Sequence, residues 1–242
     1  MSNARDQVLG AVRRALKSNG AAAEREAVVA ERLSRGTRGP QPARAQLSHR
    51  DQVALFQEMA EEVAATVARV ASADEVPDAV AAYLKGENLP AKLRMAPDAE
   101  LDALPWESQP LLQIERGRAG AADEVSVTRA FAGVAETGSL MLLSGPEAPT
   151  TLNFLPENNV VVLDASAVVG FYEDAWDQVR ARYGDGGMPR TVNFITGPSR
   201  TADIEQTIQL GAHGPRRLHI VLVGDSQGDA PGDVQGDTKG DG

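Results

Sequence analysis

Two spacings of apolar residues alternate along this chain. Across residues 51–70, Val53, Phe56, Met59, Ala60, Val63 and Val67 recur three or four positions apart, which predicts one long amphipathic helix. Residues 76–84 repeat that spacing over a shorter length. Residues 171–183 do so again, with Phe171, Trp176 and Val179 as core anchors. Near the start, residues 4–17 place Val8, Leu9, Val12 and Leu16 on one face and Arg5, Arg13, Arg14 and Lys17 elsewhere. This predicts a further amphipathic helix, closed by Asn19-Gly20 and packed on its own domain or a neighbouring subunit. The other spacing is the short, unbroken apolar run. Residues 92–95, 111–114, 140–143, 160–163, 191–195 and 218–223 read as strands, while residues 125–129 fit either a helix or a strand edge. Continuous apolar strands between helices predict an α/β fold: a parallel or mixed sheet flanked by helices on both faces.

Two segments carry neither spacing. Residues 21–46 are rich in Ala, Arg, Gly and Pro and read as a linker arm. After Gly224 the chain is Gly- and Asp-rich, with Asp225, Asp229, Asp233, Asp237 and Asp241 every fourth position, which predicts a disordered acidic tail. The expected organisation is therefore an N-terminal helix and arm (1–46), an α/β domain (47–224) and a tail (225–242).

Composition then narrows the chemistry. The chain has 242 residues, 42% of them hydrophobic, and a formal net charge of −10. That charge argues against nucleic acid, whose binding depends on phosphate neutralisation. No apolar run approaches the roughly 20 residues of a membrane span, and residues 1–6 lack a signal-peptide core, so the expected location is cytoplasmic. The chain has no cysteine, which excludes a thiol nucleophile, a zinc thiolate site and a cysteine-ligated iron–sulfur cluster of its own. With only His49, His213 and His219, a multi-histidine metal site is not expected, and no metal ligand is assigned.

Three short motifs hold the candidate chemistry. The strand–turn sequence Thr191 to Arg200, followed by Thr201, Asp203, Ile204, Ile208 and Leu210, predicts a strand, a Gly197-Pro198 turn and a helix over 203–210. Ser199 and Thr201 can cap that helix, Asp203 suits its first turn, and Arg200 beside the free N–H groups makes an anion cradle with Gly197. In Gly133 to Ser139, Glu136 is the candidate acid or base. Thr137 and Ser139 are candidate donors to a substrate carboxylate, and Gly138 lets backbone approach a ligand. In Gly211 to Arg216, His213 is a second acid–base candidate. Each also has a bland reading: a helix cap, a turn carboxylate, a turn-holding imidazole. The Glu136 and Arg200 loops share one end of a sheet only if their strands run antiparallel, or if a loop folds across.

Together these three motifs, in order and spacing, resemble the LUD domain of lactate-utilization proteins, over roughly residues 47–224. The resemblance implies a fold like that of glucosamine-phosphate deaminase, ribose-phosphate isomerase and the CoA transferases. It also implies participation in oxidising L-lactate to pyruvate as a complex subunit, with iron–sulfur clusters held by partner lactate-utilization proteins and none by this chain. Where the family often carries a histidine, this chain has Asn159, which weakens a metal or acid–base role there. The alternatives are an autonomous enzyme acting on a phosphorylated or CoA-linked small molecule, and a non-catalytic scaffold or ligand sensor. Self-association is open.

Overall fold

The computed structural model describes residues 4–15, 22–35, 38–184, 187–201 and 209–224. The chain divides into two compact units, Met1–Pro40 and Gln41–Gly242. The first contains helices α1 (Ala4–Ala15) and α2 (Ala22–Arg35). The second helix corrects the expectation of a linker at 21–46. Ala and Glu are strong helix formers, and this outweighs the lack of a tight apolar stripe.

The second unit runs, in order, α3 (His49–Glu62), β1 (Thr66–Val70), α4 (Val76–Gly86), β2 (Lys92–Met95), α5 (Ala99–Asp102), β3 (Gln113–Arg116), β4 (Val125–Arg129), β5 (Ala132–Val134), β6 (Ser139–Leu143), α6 (Thr151–Phe154), β7 (Asn158–Asp164), β8 (Val168–Val169), α7 (Tyr172–Tyr183), β9 (Val192–Ile195), β10 (Arg200–Thr201), β11 (Gln209–Leu210) and β12 (Arg217–Val223). The tail after Gly224 and the segment 202–208 lie outside the described residues.

Six strands form one all-parallel sheet in the order β1-β12-β7-β4-β2-β3. Its central strands β7 and β12 are buried along nearly their whole length, as strands covered on both faces must be. One face packs on Val76, Val80 and Leu84 of α4, Leu101 of α5, and Trp106. The other packs on Val53, Phe56 and Ala60 of α3 and on Leu140 and Leu142 of β6. Strand β6 belongs to a second, mixed sheet, β8-β5-β6-β9, in which β5/β6 and β6/β9 are antiparallel. Its outer residues Ala132, Val134 and Met141 pack on Ala175 and Val179 of α7. Burying each Leu, Val or Phe in these layers contributes roughly 1.5–3 kcal/mol.

The long helix expected over 51–70 is two elements. Ser48 caps α3 by accepting the Asp51 N–H at 3.3 Å. The helix then stops at Val63, where Ala64 adopts φ +67° and the Ala65 N–H closes on the Ala60 carbonyl at 3.0 Å. Val63 and Val67 continue the helical spacing, so the sequence alone conceals the reversal that begins β1. Residues 125–129 resolve as a central strand: the hydroxyls of Ser126 and Thr128 donate to Asn159 Oδ1 at 3.2 and 3.4 Å, so polar side chains survive inside the core.

Candidate functional site

The turn from β5 to β6 carries Glu136, and Glu136 is 7% exposed. The Ala135 and Glu136 N–H groups donate to the Val169 and Gly170 carbonyls at 2.8 and 3.1 Å, fixing the turn beside the start of α7. There Glu136 Oε1 accepts the Tyr172 N–H at 3.1 Å. Tyr172 is the first residue of α7, so the carboxylate meets an unpaired helix N–H and the positive end of the dipole. Its other oxygen has no partner among the described residues.

Along β6, Leu140 and Leu142 face the parallel sheet, so Ser139 and Met141 face α7. Ser139 Oγ therefore meets Tyr172 Oη at 2.9 Å and Thr137 Oγ1 at 2.7 Å, and Thr137 meets Tyr172 at 2.9 Å. The antiparallel register Leu140↔Ile195 brings the residue after β9 alongside the residue that starts β6. Ser139 Oγ and Thr196 Oγ1 are 2.5 Å apart. The Glu136 loop and the Gly197 loop thus lie at one end of one ladder, which answers the condition set by the sequence. Four hydroxyls from three segments converge beside a buried carboxylate, with Thr196 at the exposed edge.

The third motif joins them through Ser199. Its N–H donates to the Pro215 carbonyl at 2.8 Å, its carbonyl accepts the Gly211 N–H at 3.0 Å, and its Oγ accepts the His213 N–H at 3.3 Å. Ser199 is thereby tied to the 211–215 loop, and the helix start it was expected to cap lies outside the described residues. Gln209–Leu210 is a strand that pairs antiparallel with Arg200–Thr201, so no helix reaches 210 and Thr201 is a strand residue. Asp203 and the rest of the expected helix lie outside the described residues. Arg200 donates from Nη2 to the Val63 carbonyl at 3.2 Å, a cation at the carboxyl end of α3. His213 is exposed, and among the described residues its ring contacts none of the four hydroxyls.

Both motif glycines serve packing on α3. At Gly138 (φ +63°), a Cβ would lie 2.6 Å from the Met59 carbonyl carbon and closer still to the Ala60 nitrogen. At Gly197 (φ +71°), a Cβ would lie 3.0 Å from Val63 Cγ2 and closer still to the Val63 oxygen. The close approach that these glycines permit is to a helix backbone. Tyr172 and Thr196 were not singled out by sequence. Tyr172 was legible only as part of a helix, and Thr196 as a turn residue.

His219 lies in the core. Its ring stacks on Tyr83 with centroids 4.1 Å apart, and its Nδ1 is 2.8 Å from Thr66 Oγ1. Burial lowers its pKa to about 4 and, with the Glu87 charge next, pushes the Tyr83 phenol up to about 12. At the carboxyl ends of the parallel strands, where ligands of open α/β sheets commonly bind, a cavity of about 250 Å³ is lined by Asp74, Leu101, Arg129, Asp164 and Val223. Arg129 is there paired with Glu100 at 2.6 Å. Strand β9 belongs to the other sheet, so the carboxyl-end rule does not bear on the Gly197 loop. Among the described residues no group of three His, Asp or Glu side chains is placed to hold a metal ion.

The chain matches the family model described as the LUD domain over residues 53–223. It is 36% identical over 126 residues to an uncharacterized protein of Neisseria meningitidis serogroup B, covering 52% of this chain and 48% of that protein. It is 33% identical over 123 residues to Lactate utilization protein C of Geobacillus thermodenitrificans, covering 50% of each chain. It is 32% identical over 102 residues to the Bacillus subtilis protein of the same name, covering 42% of each. These alignments span about half the length of each relative or less. The fold is like that of a DUF162 family protein from Deinococcus radiodurans, with a TM-score of 0.55 and 19% identity over 74% of this chain and 99% of that one. A single family model spanning both sheets and all three motifs makes this chain a member of the LUD-domain family.

Proposed function

We propose that this chain serves lactate utilization, as a subunit that takes part in oxidising L-lactate to pyruvate and holds a small carboxylate at the Thr137, Ser139, Tyr172 and Thr196 hydroxyls. Support for the pathway comes from the relatives named Lactate utilization protein C. The observation that carries the site is the convergence of four hydroxyls beside Glu136. Each hydroxyl has one hydrogen, and the four recorded contacts use the four hydrogens among themselves. A carboxylate reaching the exposed Thr196 edge would exchange neutral bonds, worth about 1 kcal/mol each, for bonds to a charged acceptor worth about 1.5–3 kcal/mol.

Oxidation of L-lactate to pyruvate releases two electrons and two protons. Among the described residues, Glu136, with one carboxylate oxygen lacking a partner, and His213, tied to the Gly197 loop through Ser199, are candidate proton acceptors. The electrons need an acceptor. The chain has no cysteine to ligate a cluster, so the reading places the iron–sulfur centres in partner proteins. The chain is then a working part of an assembly rather than a stand-alone dehydrogenase.

The test is L-lactate-dependent dye reduction by the purified chain, by its iron–sulfur partners, and by the reconstituted complex. Activity is expected only in the complex. Dye reduction by the pure chain, or full activity of the partners without it, would overturn this reading.

A further inference from the structure

Arg118 and Arg190 lie far apart in sequence, in the loops before β4 and before β9, and neither belongs to the three motifs. The fold brings both to one cavity of about 700 Å³, together with Ser144, Thr150 and Thr151. Each arginine is anchored at the next residue. The Ala119 N–H donates to Thr151 Oγ1 at 3.2 Å, holding the Arg118 loop against the first turn of α6. The Thr191 N–H donates to Ser144 Oγ at 2.8 Å, and the Ser144 N–H returns to the Thr191 carbonyl at 2.9 Å, holding Arg190 at the end of β6. Between them the 144–151 loop is closed on itself by reciprocal Gly145 and Ala148 bonds of 3.3 and 3.2 Å and stiffened by Pro146 and Pro149.

The charge here is unbalanced. In the adjoining cavity Arg129 pairs with Glu100, and Arg182 lies over the Phe131 ring at 5.6 Å. By contrast, among the described residues Arg118 and Arg190 have no hydrogen-bonded, ionic or ring partner, and no carboxylate lines their cavity. In a chain of net charge −10, two exposed arginines without a partner among the described residues, on anchored loops lining one cavity, make a candidate anion site.

We propose that this cavity binds the phosphoryl group of a small phosphorylated molecule. A tetrahedral dianion can accept from two guanidinium forks at once, whereas a monocarboxylate fills only one. Among the described residues no aromatic side chain lines the cavity to stack a base, so the phosphoryl group itself is the recognised element. The net negative charge disfavours a polyanionic polymer. The site is separate from the hydroxyl cluster and stands or falls independently of it.

The test is titration calorimetry of the full chain with inorganic phosphate and glycerol 3-phosphate at low ionic strength, where exposed cations are least screened. Acetate and L-lactate serve as monocarboxylate controls. Both phosphates are expected to bind at millimolar concentration or below. Arg118→Ala and Arg190→Ala should each weaken binding about tenfold or more, the scale of a charge-assisted bond. Arg118→Lys should recover only part, because the ammonium keeps the charge and loses the fork. Arg50→Ala, an exposed arginine on α3, should leave binding unchanged. Melting temperatures of the free variants should match wild type, since neither exposed guanidinium makes a hydrogen bond or ion pair among the described residues. No binding to wild type at about ten millimolar, acetate binding as tightly as phosphate, or an equal loss in Arg50→Ala would each overturn the proposal.

Discussion

Replacing Gly138 by alanine tests whether the β5–β6 turn is held to α3 by close backbone contact. Two costs combine. At φ +63° a residue with a Cβ gives up roughly 1–2 kcal/mol. The new Cβ would also stand 2.6 Å from the Met59 carbonyl carbon, against helix backbone that cannot rotate away as a side chain would. Forcing an extra carbon into such packing costs about 1–3 kcal/mol. The sum is roughly 2–5 kcal/mol, and for a unit of this size each kcal/mol lowers the melting temperature by about 2–4 °C. Gly138→Ala should therefore melt on the order of 10 °C below wild type. Gly145→Ala, where a Cβ would meet nothing within 4 Å, should melt within about 2 °C of it. Thermal unfolding followed by circular dichroism reads both. If Gly138→Ala melts with wild type, the turn does not rest on α3 as described, and the hydroxyl cluster built on that turn loses its scaffold.

Tyr172→Phe removes the hydroxyl shared by Thr137 and Ser139; it should cost stability by about 1 kcal/mol and lower lactate-supported activity of the complex, and unchanged activity would take Tyr172 out of the site. Glu136→Gln keeps an acceptor for the Tyr172 N–H but loses the charge at the start of α7, so stability should fall by roughly 0.3–1 kcal/mol; full lactate-supported activity would remove its proton-transfer role. His219, held near pKa 4 against an ordinary value of 6.5, stays neutral in the fold while the unfolded chain takes up a proton, so stability is lost as pH falls from 6.5 towards 4. The loss should reach about 2 kcal/mol by pH 5. Urea unfolding at pH 7 and pH 5 should show a smaller difference for His219→Leu, and an identical difference would refute the burial argument. Removing residues 1–20, whose α1 exposes Val8, Leu9 and Val12, should impair assembly with the proposed partner proteins if this helix docks on them; unchanged complex size on gel filtration would refute docking through it.

The sequence by itself determined the elements whose signal is local. The unbroken apolar runs inside β7 and β12 announce strands covered on both faces, and the Phe171, Trp176 and Val179 spacing announces α7. The three motifs were legible as motifs, and the family with them. What lay beyond the sequence is everything set by which element becomes whose neighbour. Periodicity reports the face a residue presents and is silent on its partner. Val63 and Val67 kept helical spacing across a break that only Ala64's left-handed backbone reveals. The pairing of Arg200–Thr201 with Gln209–Leu210 replaced the end of an expected helix with a strand, because ladder bonds between segments outweigh a weak local spacing. Gly138 and Gly197 looked like glycines for a ligand, and α3 claimed both. Ser139 meets Thr196 only because β6 and β9 run antiparallel, and Arg118 shares a cavity with Arg190 only because the loop before β4 is held at Thr151 while the loop before β9 is held at Ser144. Sites of this kind are made of groups distant in sequence, each unremarkable in its own segment, and their chemistry exists only once tertiary packing has set the distances between them.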